Sequence, residues 1–305
     1  MNKISAVVSA YNEEAKIEEC LESLRFCDEI ILVDNSSTDK TADIGKKFTS
    51  KIYHRENNIM LNVNKNYGFS KATGDWILSL DADERITSEL KVEIKENIKR
   101  NNMSGYWIPR KNIIFGKWIQ SEMWWPDYQL RLFKKNKGKF PQKHVHEYIN
   151  IDGDTEKLHQ PMIHENYSSI NQYLHKMQVI YSENEVKNLL ESGVEIKWTD
   201  AIRFPVQDFL KTFFLQKGYK DGLHGLVLSI LQAFYMEIVF AKLWEKKKFE
   251  EYNSPVFLKE FHKEYKKVHS ELEYWLLSSF MDQSKNIFKK MLYRLSRKSH
   301  AKKNL

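Results

Sequence analysis

Asp81 and Asp83 stand one residue apart where the apolar run Trp76 to Leu80 (WILSL) meets a polar turn. Two carboxylates at that spacing, at the mouth of a buried strand, can hold a hard divalent cation through oxygen ligands and leave positions open for phosphate oxygens. A third carboxylate, Asp34, ends the run Glu29 to Val33 (EIILV) and can accept hydrogen bonds from a base N–H or a ribose hydroxyl. Tyr11, Asn12, Glu13 and Glu14 follow the run Ile4 to Ala10 (ISAVVSA) in the same way. Each acid also has a plain structural reading. Asp81 and Asp83 can simply cap the strand and the helix after it, with Thr87 or Ser88 as the N-cap, and for Asp39 alone the N-cap reading is the better one.

The elements that must position these groups are legible as pattern. The three apolar runs are continuous, as strands buried on both faces are, and a shorter one fits Lys51 to His54. Helical spacing lies between them: Ile17, Leu21 and Leu24 after the acidic turn Glu13-Glu14, then Thr41 to Phe48, then Leu61 to Ala72. Strand starts recur about every 20 to 25 residues, the rhythm of βαβ units, so the first half reads as a doubly wound α/β sheet. Ligands of such sheets sit beyond the carboxyl ends of the strands, which is where the acids fall. No G-x-G-x-x-G follows the first strand and no G-x-x-x-x-G-K occurs, which speaks against dinucleotide redox enzymes and P-loop NTPases.

From Gly105 to His164 the pattern breaks into short strand-like pieces (Tyr106 to Pro109, Tyr128 to Phe133, Val145 to Ile151) rich in Trp, Pro and His, and after Ser169 it turns helical. Aromatics make up 13% of the chain, with eight Trp, a composition common on sugar-contacting surfaces. Cys20 and Cys27 provide no disulfide framework. The 48 Lys and Arg exceed the 41 Asp and Glu, but eight of the bases and none of the acids lie between Ser284 and Leu305. The rest of the chain carries 40 basic and 41 acidic side chains, so no nucleic-acid-binding face is expected on the core.

Four segments appear in order: V-V-S-A-Y-N-E-E at 7–14, I-L-V-D-N-S-S-T-D-K-T at 31–41, N-K-N-Y-G-F-S-K-A-T-G-D-W at 64–76 and L-D-A-D-E-R at 80–85. Together they resemble the family 2 glycosyltransferases. V-H-E at 145–147 and K-G-Y-K-D-G-L-H-G at 217–225 are similar to segments of bacterial lipopolysaccharide-core β-1,4-glucosyltransferases within that family. The resemblance implies the GT-A nucleotide-diphospho-sugar transferase fold, an inverting transfer and a divalent metal, Mg²⁺ or Mn²⁺. By the same resemblance Tyr11, Glu13 and Asp34 would contact the nucleoside, Lys65 would lie near the diphosphate, and Asp81 and Asp83 would hold donor and metal. Asn35 departs from the pattern, since the family often has a second Asp there. Residues 1–165 then form the catalytic core, with a nucleotide-sugar half to about 100 and an acceptor half from 101. Residues 166–305 form a helical extension.

An inverting transfer needs a general base at the acceptor hydroxyl. Glu147 in H-V-H-E and Asp127 in W-W-P-D are the candidates, Glu147 being preferred because Asp127 follows Pro126 as an ordinary turn residue would. His144 and His146 share a strand face; a zinc site with His159 or His164 is the weaker reading, and His146 is expected as an auxiliary metal ligand only. Trp124 and Trp125 can stack on an acceptor sugar or pack in the core, and Arg131 and Lys134 offer positive charge to a phosphate.

In the tail Ile287, Phe288, Met291, Leu292 and Leu295 share one helical face with Lys and Arg around it, the pattern of a helix lying on an anionic leaflet or, alternatively, of a solvated helix packed on its own domain. Leu223 to Trp244 is apolar but holds Gln232, Glu237 and Lys242, which suits a buried or interfacial helix better than a transmembrane one. The N-terminus has no secretory pattern, so a cytoplasmic protein, peripheral at the inner membrane face, is expected. The expected partners are UDP-glucose or a related nucleotide sugar, a lipid-anchored oligosaccharide and an anionic membrane surface. A polyprenyl-phosphate glycosyltransferase and a non-catalytic nucleotide-sugar or lipid-binding module are the alternatives.

Overall fold

The computed structural model describes residues 2–57, 61–100, 102–142 and 148–301; His144, His146 and Glu147 lie outside the described residues. The chain forms two compact units, Met1–Trp118 with Trp124–Asn166, and Ile119–Met123 with Tyr167–Leu305.

The first unit is built on strands β1 (Ile4–Ala10), β2 (Glu29–Asp34), β3 (Ile52–His54), β4 (Trp76–Asp81), β5 (Glu84–Ile86), β6 (Gly105–Ile114), β7 (Lys117–Trp118), β8 (Asp127–Lys134), β9 (Gly138–Lys139), β10 (Asn150–Ile151), β11 (Thr155–Lys157) and β12 (Met162–Tyr167). Helices α1 (Ile17–Ser23), α2 (Thr41–Gly45), α3 (Leu61–Lys71) and α4 (Ser88–Arg100) connect the early strands. The main sheet runs β3-β2-β1-β4-β8-β6-β12-β5, with β7 and β11 pairing to β6. Its β3-β2-β1-β4 half is parallel, and β8 then pairs antiparallel to β4.

Alternation along β1 explains the layers. Ile4, Ala6, Val8 and Ala10 pack under α1 and α4 through Ile17, Leu21, Leu90 and Ile94, while Val7 faces Phe69 and Ala72 near the end of α3 with Ile31, Val33 and Ile77. Helices therefore cover both faces of the parallel half, as apolar strands without alternation require. Helix α3 lies close on the sheet because it has a glycine at the contact. A Cβ on Gly68 would come within 2.5 Å of Val7 Cγ1 and 2.9 Å of Val33 Cγ2. Thr87 Oγ1 caps α4 by accepting the Leu90 N–H at 3.1 Å, whereas the N-cap of α2 is Lys40, and Asp39, one residue earlier, accepts the Thr41 N–H at 2.9 Å. Helix α2 is shorter than the expected Thr41 to Phe48, ending at Gly45.

The second unit is helical: α5 (Ile170–Lys176), α6 (Ser182–Glu191), α7 (Asp200–Phe209), α8 (Leu223–Lys246), α9 (Phe257–Gln283) and α10 (Ile287–Ala301). Val186, Val239 and Leu243 join α6 and α8, and Arg203 of α7 pairs with Glu264 and Glu271 of α9. The K-G-Y-K-D-G-L-H-G segment has a packing role. A Cβ on Gly225 would sit 1.8 Å from the Gly218 carbonyl oxygen, and the Asp221 carboxylate accepts the Gln120 and Ser121 N–H groups at 3.0 and 2.8 Å. Helix α8 is long and apolar enough to cross a membrane by length and composition, and only a minor share of its apolar stretch is buried. Helix α10 rests on α9 through Tyr293 against Phe280 and Arg297 over Tyr274, leaving Ile287 81% and Phe288 76% exposed.

Candidate active site

The carboxyl ends of β1, β2 and β4 converge on two clusters of polar side chains. The first begins at the turn from β4 into β5. Glu84 is fully buried, and its Oε2 accepts the Asp81 N–H at 3.0 Å, tying the turn to itself. Its Oε1 takes Arg131 Nη2 at 2.6 Å and meets Arg110 Nη1 at 3.5 Å. Arg131 Nη2 also donates to Asp81 Oδ2 at 2.5 Å, and Lys65 Nζ lies 2.5 Å from Asp81 Oδ1. Lys65 is one turn before Gly68 on α3, so the close approach of helix to sheet delivers it. Burial opposes ionisation of Asp81, but the Arg131 guanidinium and the Lys65 ammonium outweigh it and hold the carboxyl far below the usual carboxylate range.

Arg110 on β6 continues the chain of contacts. It grips Asp127 at the head of β8, Nε at 2.8 Å and Nη2 at 2.5 Å from Oδ2, while Gln129 Nε2 donates to Oδ1 at 2.8 Å and Asn112 Nδ2 to Oδ2 at 3.2 Å. Asp127 is thus a strand residue in a fork with an arginine, not an exposed turn residue. Burial acts against its charge, and Arg110 more than compensates, so its carboxyl lies below the ordinary range.

Lys65, Arg131 and Arg110 balance Asp81, Glu84 and Asp127, three charges against three. Asp83 stands outside that balance. Its Oδ2 is 4.0 Å from Lys16 Nζ, which itself donates to the Glu165 carbonyl at 2.7 Å, and 3.5 Å from His164 Nε2. The antiparallel pairing of β12 with β5 sets His164 opposite Glu84 and so beside Asp83. Among the described residues no group of three or more His, Cys, Asp and Glu is placed to hold a metal ion, so Asp83 and His164 offer two donors and no more. Oxygen and imidazole donors with positions left over fit Mg²⁺ or Mn²⁺ better than a structural zinc.

The second cluster lies between the ends of β1 and β2. Asn12 Oδ1 accepts the Thr38 N–H at 2.8 Å, Asn12 N donates to Ser37 Oγ at 3.0 Å and Glu13 N to Thr41 Oγ1 at 2.8 Å, which stitches the two loops together. Asp34 is buried at 2% exposure; His54 Nδ1 meets its Oδ2 at 2.9 Å, and its Oδ1 has no hydrogen-bond partner among the described residues. Such an acceptor is costly unless something donates to it. Asn35 Nδ2 donates to Ser9 Oγ at 3.0 Å and Asn35 Oδ1 accepts from Asn64 Nδ2 at 2.7 Å. Tyr11 is 42% exposed above this corner.

The model named Glycosyl transferase family 2 matches residues 5–151. An uncharacterized glycosyltransferase of Rickettsia typhi is 30% identical over 260 residues, covering 80% of this chain and 88% of that protein. The chain belongs to glycosyltransferase family 2. Its activity is that of a glycosyltransferase enzyme, on a GT-A type fold. The lipopolysaccharide core biosynthesis glycosyltransferase LpsC of Rhizobium meliloti is 25% identical over 252 residues, covering 80% of this chain and 92% of its own. Among solved structures, S. aureus TarS 1–349 in complex with UDP has 18% identity and a TM-score of 0.43, over 83% of this chain and 93% of that one.

Within this family 2 glycosyltransferase the structure brings Lys65, Asp81, Asp83, Asp127 and Arg131 into one network, and Tyr11, Glu13 and Asp34 into the neighbouring corner. Trp124 and Trp125 are half-buried; the Trp125 ring meets Trp118 edge-on at 5.2 Å, and the Trp124 carbonyl accepts from Asn112 Nδ2 at 2.9 Å. Lys134 is not at the site. It pairs across from Trp76, at the opposite end of β4 from Asp81, because β8 runs antiparallel to β4. Arg131 stands nearer the Asp81 end but spends its charge on Asp81 and Glu84. Sequence reasoning missed Lys16, His54, Glu84, Arg110 and Asn112 and gave His164 no role of its own. Only Glu84 carried a local signal, the L-D-A-D-E-R run; the others meet their partners through pairings 12 to 149 positions apart in sequence, which no motif displays.

Proposed function

We propose that the chain moves a hexose, most readily glucose, from a UDP-sugar to a hydroxyl of a lipid-anchored core oligosaccharide, inverting the anomeric centre. The observation that carries this reading is the pair Asp81 and Asp83 at the end of a parallel strand, one neutralised by protein cations and the other facing a histidine, beside the unsatisfied buried oxygen of Asp34. The relation to LpsC supports a core-oligosaccharide acceptor.

In this reading Asp34, with Tyr11 and Glu13, receives the nucleoside. Asp83 and His164 would hold the Mg²⁺ or Mn²⁺, with Asp81 and, from outside the described residues, His146 as auxiliary ligands. The ion supplies Lewis-acid stabilisation of the negative charge that develops on the departing diphosphate. Lys65 adds fixed positive charge on the same side without needing to move. Glu147 takes the proton from the acceptor hydroxyl as its oxygen attacks the anomeric carbon, and Trp124 and Trp125 offer ring faces to the acceptor sugar.

A thermal-shift panel of nucleotide sugars with Mn²⁺ tests the donor. UDP-glucose at 100 times its dissociation constant is expected to stabilise the protein by about 2.7 kcal/mol and GDP-sugars to do nothing comparable. Stabilisation by a GDP-sugar alone would overturn the choice of nucleotide.

The tail supports a membrane-side location. Its helix α10 turns Ile287, Phe288, Met291, Leu292 and Leu295 outward and uses other side chains to rest on α9. Lys285, Lys289, Lys290 and Arg294 flank that face, each contributing about 1 kcal/mol near an anionic leaflet. Deletion of residues 284–305 is expected to release the protein from phosphatidylserine-containing vesicles while leaving transfer to a soluble acceptor analogue mostly intact. Unchanged co-sedimentation at low salt would remove the tail from the membrane contact.

A further inference from the structure

We propose that Asn112 is a positioning residue that selects the ring tautomer of His164 and thereby turns the lone pair of Nε2 toward Asp83, where a cation would be shared between them. The inference rests on the metal reading of Asp83 and His164 given above.

Asn112 is fully buried near the end of β6. Which way its amide faces follows from its neighbours. The Trp124 main-chain oxygen at 2.9 Å and Asp127 Oδ2 at 3.2 Å are both acceptors, and Asp127 is held ionised by its fork with Arg110. The amide nitrogen must therefore face these two, which directs Asn112 Oδ1 at His164 Nδ1, 2.6 Å away. An amide oxygen can only accept, so Nδ1 carries the proton in that contact.

The consequence appears on the other side of the ring. A neutral imidazole protonated on Nδ1 has a bare lone pair on Nε2, and that atom lies 3.5 Å from Asp83 Oδ2. With the ring neutral, two acceptors then face one another in a site that is 10% exposed on the histidine side chain and 14% on the aspartate, and a divalent cation would take one donor from each. The neighbouring hydrogen bond of a ligating histidine commonly sets both its tautomer and its ring orientation. Here the partner is an amide oxygen, itself locked by Arg110 through Asp127. Asp127 thus reaches the cation position through Asn112 and His164, without touching it.

The full chain labelled with ¹⁵N-histidine, without metal, gives the direct test. The His164 resonances, assigned by their loss in His164→Gln, are expected to show a protonated Nδ1 and an unprotonated Nε2. In Asn112→Leu the ring is expected to return to the Nε2-protonated form that prevails in water, and calorimetric Mn²⁺ affinity to fall by about 10- to 100-fold. A wild-type ring protonated on Nε2 overturns the proposal whether or not the variant folds. If His164→Ala binds Mn²⁺ as tightly as the parent, the metal reading itself has failed. If His164→Ala loses affinity and Asn112→Leu does not, only the role of Asn112 is wrong.

Discussion

Glu147→Gln is expected to keep nucleotide-sugar binding and to lose turnover by roughly 100- to 10,000-fold, the usual contribution of a positioned acid–base group. Gln preserves the size and one carbonyl acceptor but cannot take the acceptor proton, so ground-state binding survives while the barrier rises. Asp127→Asn is the matched comparison. The Arg110 fork makes Asp127 a poor proton acceptor, and its loss is expected to act on Arg110 and Asn112, lowering stability and Mn²⁺ affinity instead of turnover at saturating donor and metal. A variant set in which Asp127→Asn abolishes turnover and Glu147→Gln does not would exchange the two roles. If both variants turn over normally, hydroxyl activation by a carboxylate is wrong, and a polyprenyl-phosphate acceptor, which needs no base, becomes the better reading.

The parallel half of the sheet was legible because β1, β2 and β4 are buried on both faces and so read as apolar runs, β2 and β4 ending at an acid and β1 followed by Glu13 three residues on. The order of strands beyond β4 was not. Antiparallel insertion of β8 between β4 and β6 depends on pairings 17 to 58 residues apart, and nothing local in Gly105–Ile114 or Asp127–Lys134 encodes them. That insertion decides which side chains reach the site. It carries Arg131 to Asp81 and Glu84 while leaving Lys134 at the far edge, although the two residues lie three apart. It also turns Asp127 from an expected turn residue after Pro126 into the partner of Arg110. The histidine facing Asp83 was equally hidden, since His164 arrives only through the β12–β5 pairing. Asn35 is the reverse case: a departure from the family pattern whose partners, half-buried Ser9 and buried Asn64, appear only in the fold.

Asp83→Ala carries the second large effect. Asp81 already has Lys65 and Arg131 as counter-charges, whereas the carboxylate of Asp83 has only a distant lysine and a histidine nitrogen, so the cation should depend on Asp83 more than on any other described side chain. Removing a ligand itself should cost more than the 10- to 100-fold typical of losing a neighbour of a ligand, or upward of about 100-fold in the Mn²⁺-dependent part of UDP affinity. The substitution trims a side chain at the mouth of the site and leaves the Asp81–Arg131–Glu84 pairs in place, so the fold should survive it.

Titration calorimetry of UDP into the parent and into Asp83→Ala, each with Mn²⁺ and with chelator, tests the central claim most directly. Metal-dependent, tight binding is expected in the parent, and weak binding indifferent to Mn²⁺ in the variant. Equal Mn²⁺-dependent affinity in the two proteins would contradict the assignment of the metal and diphosphate to the end of β4.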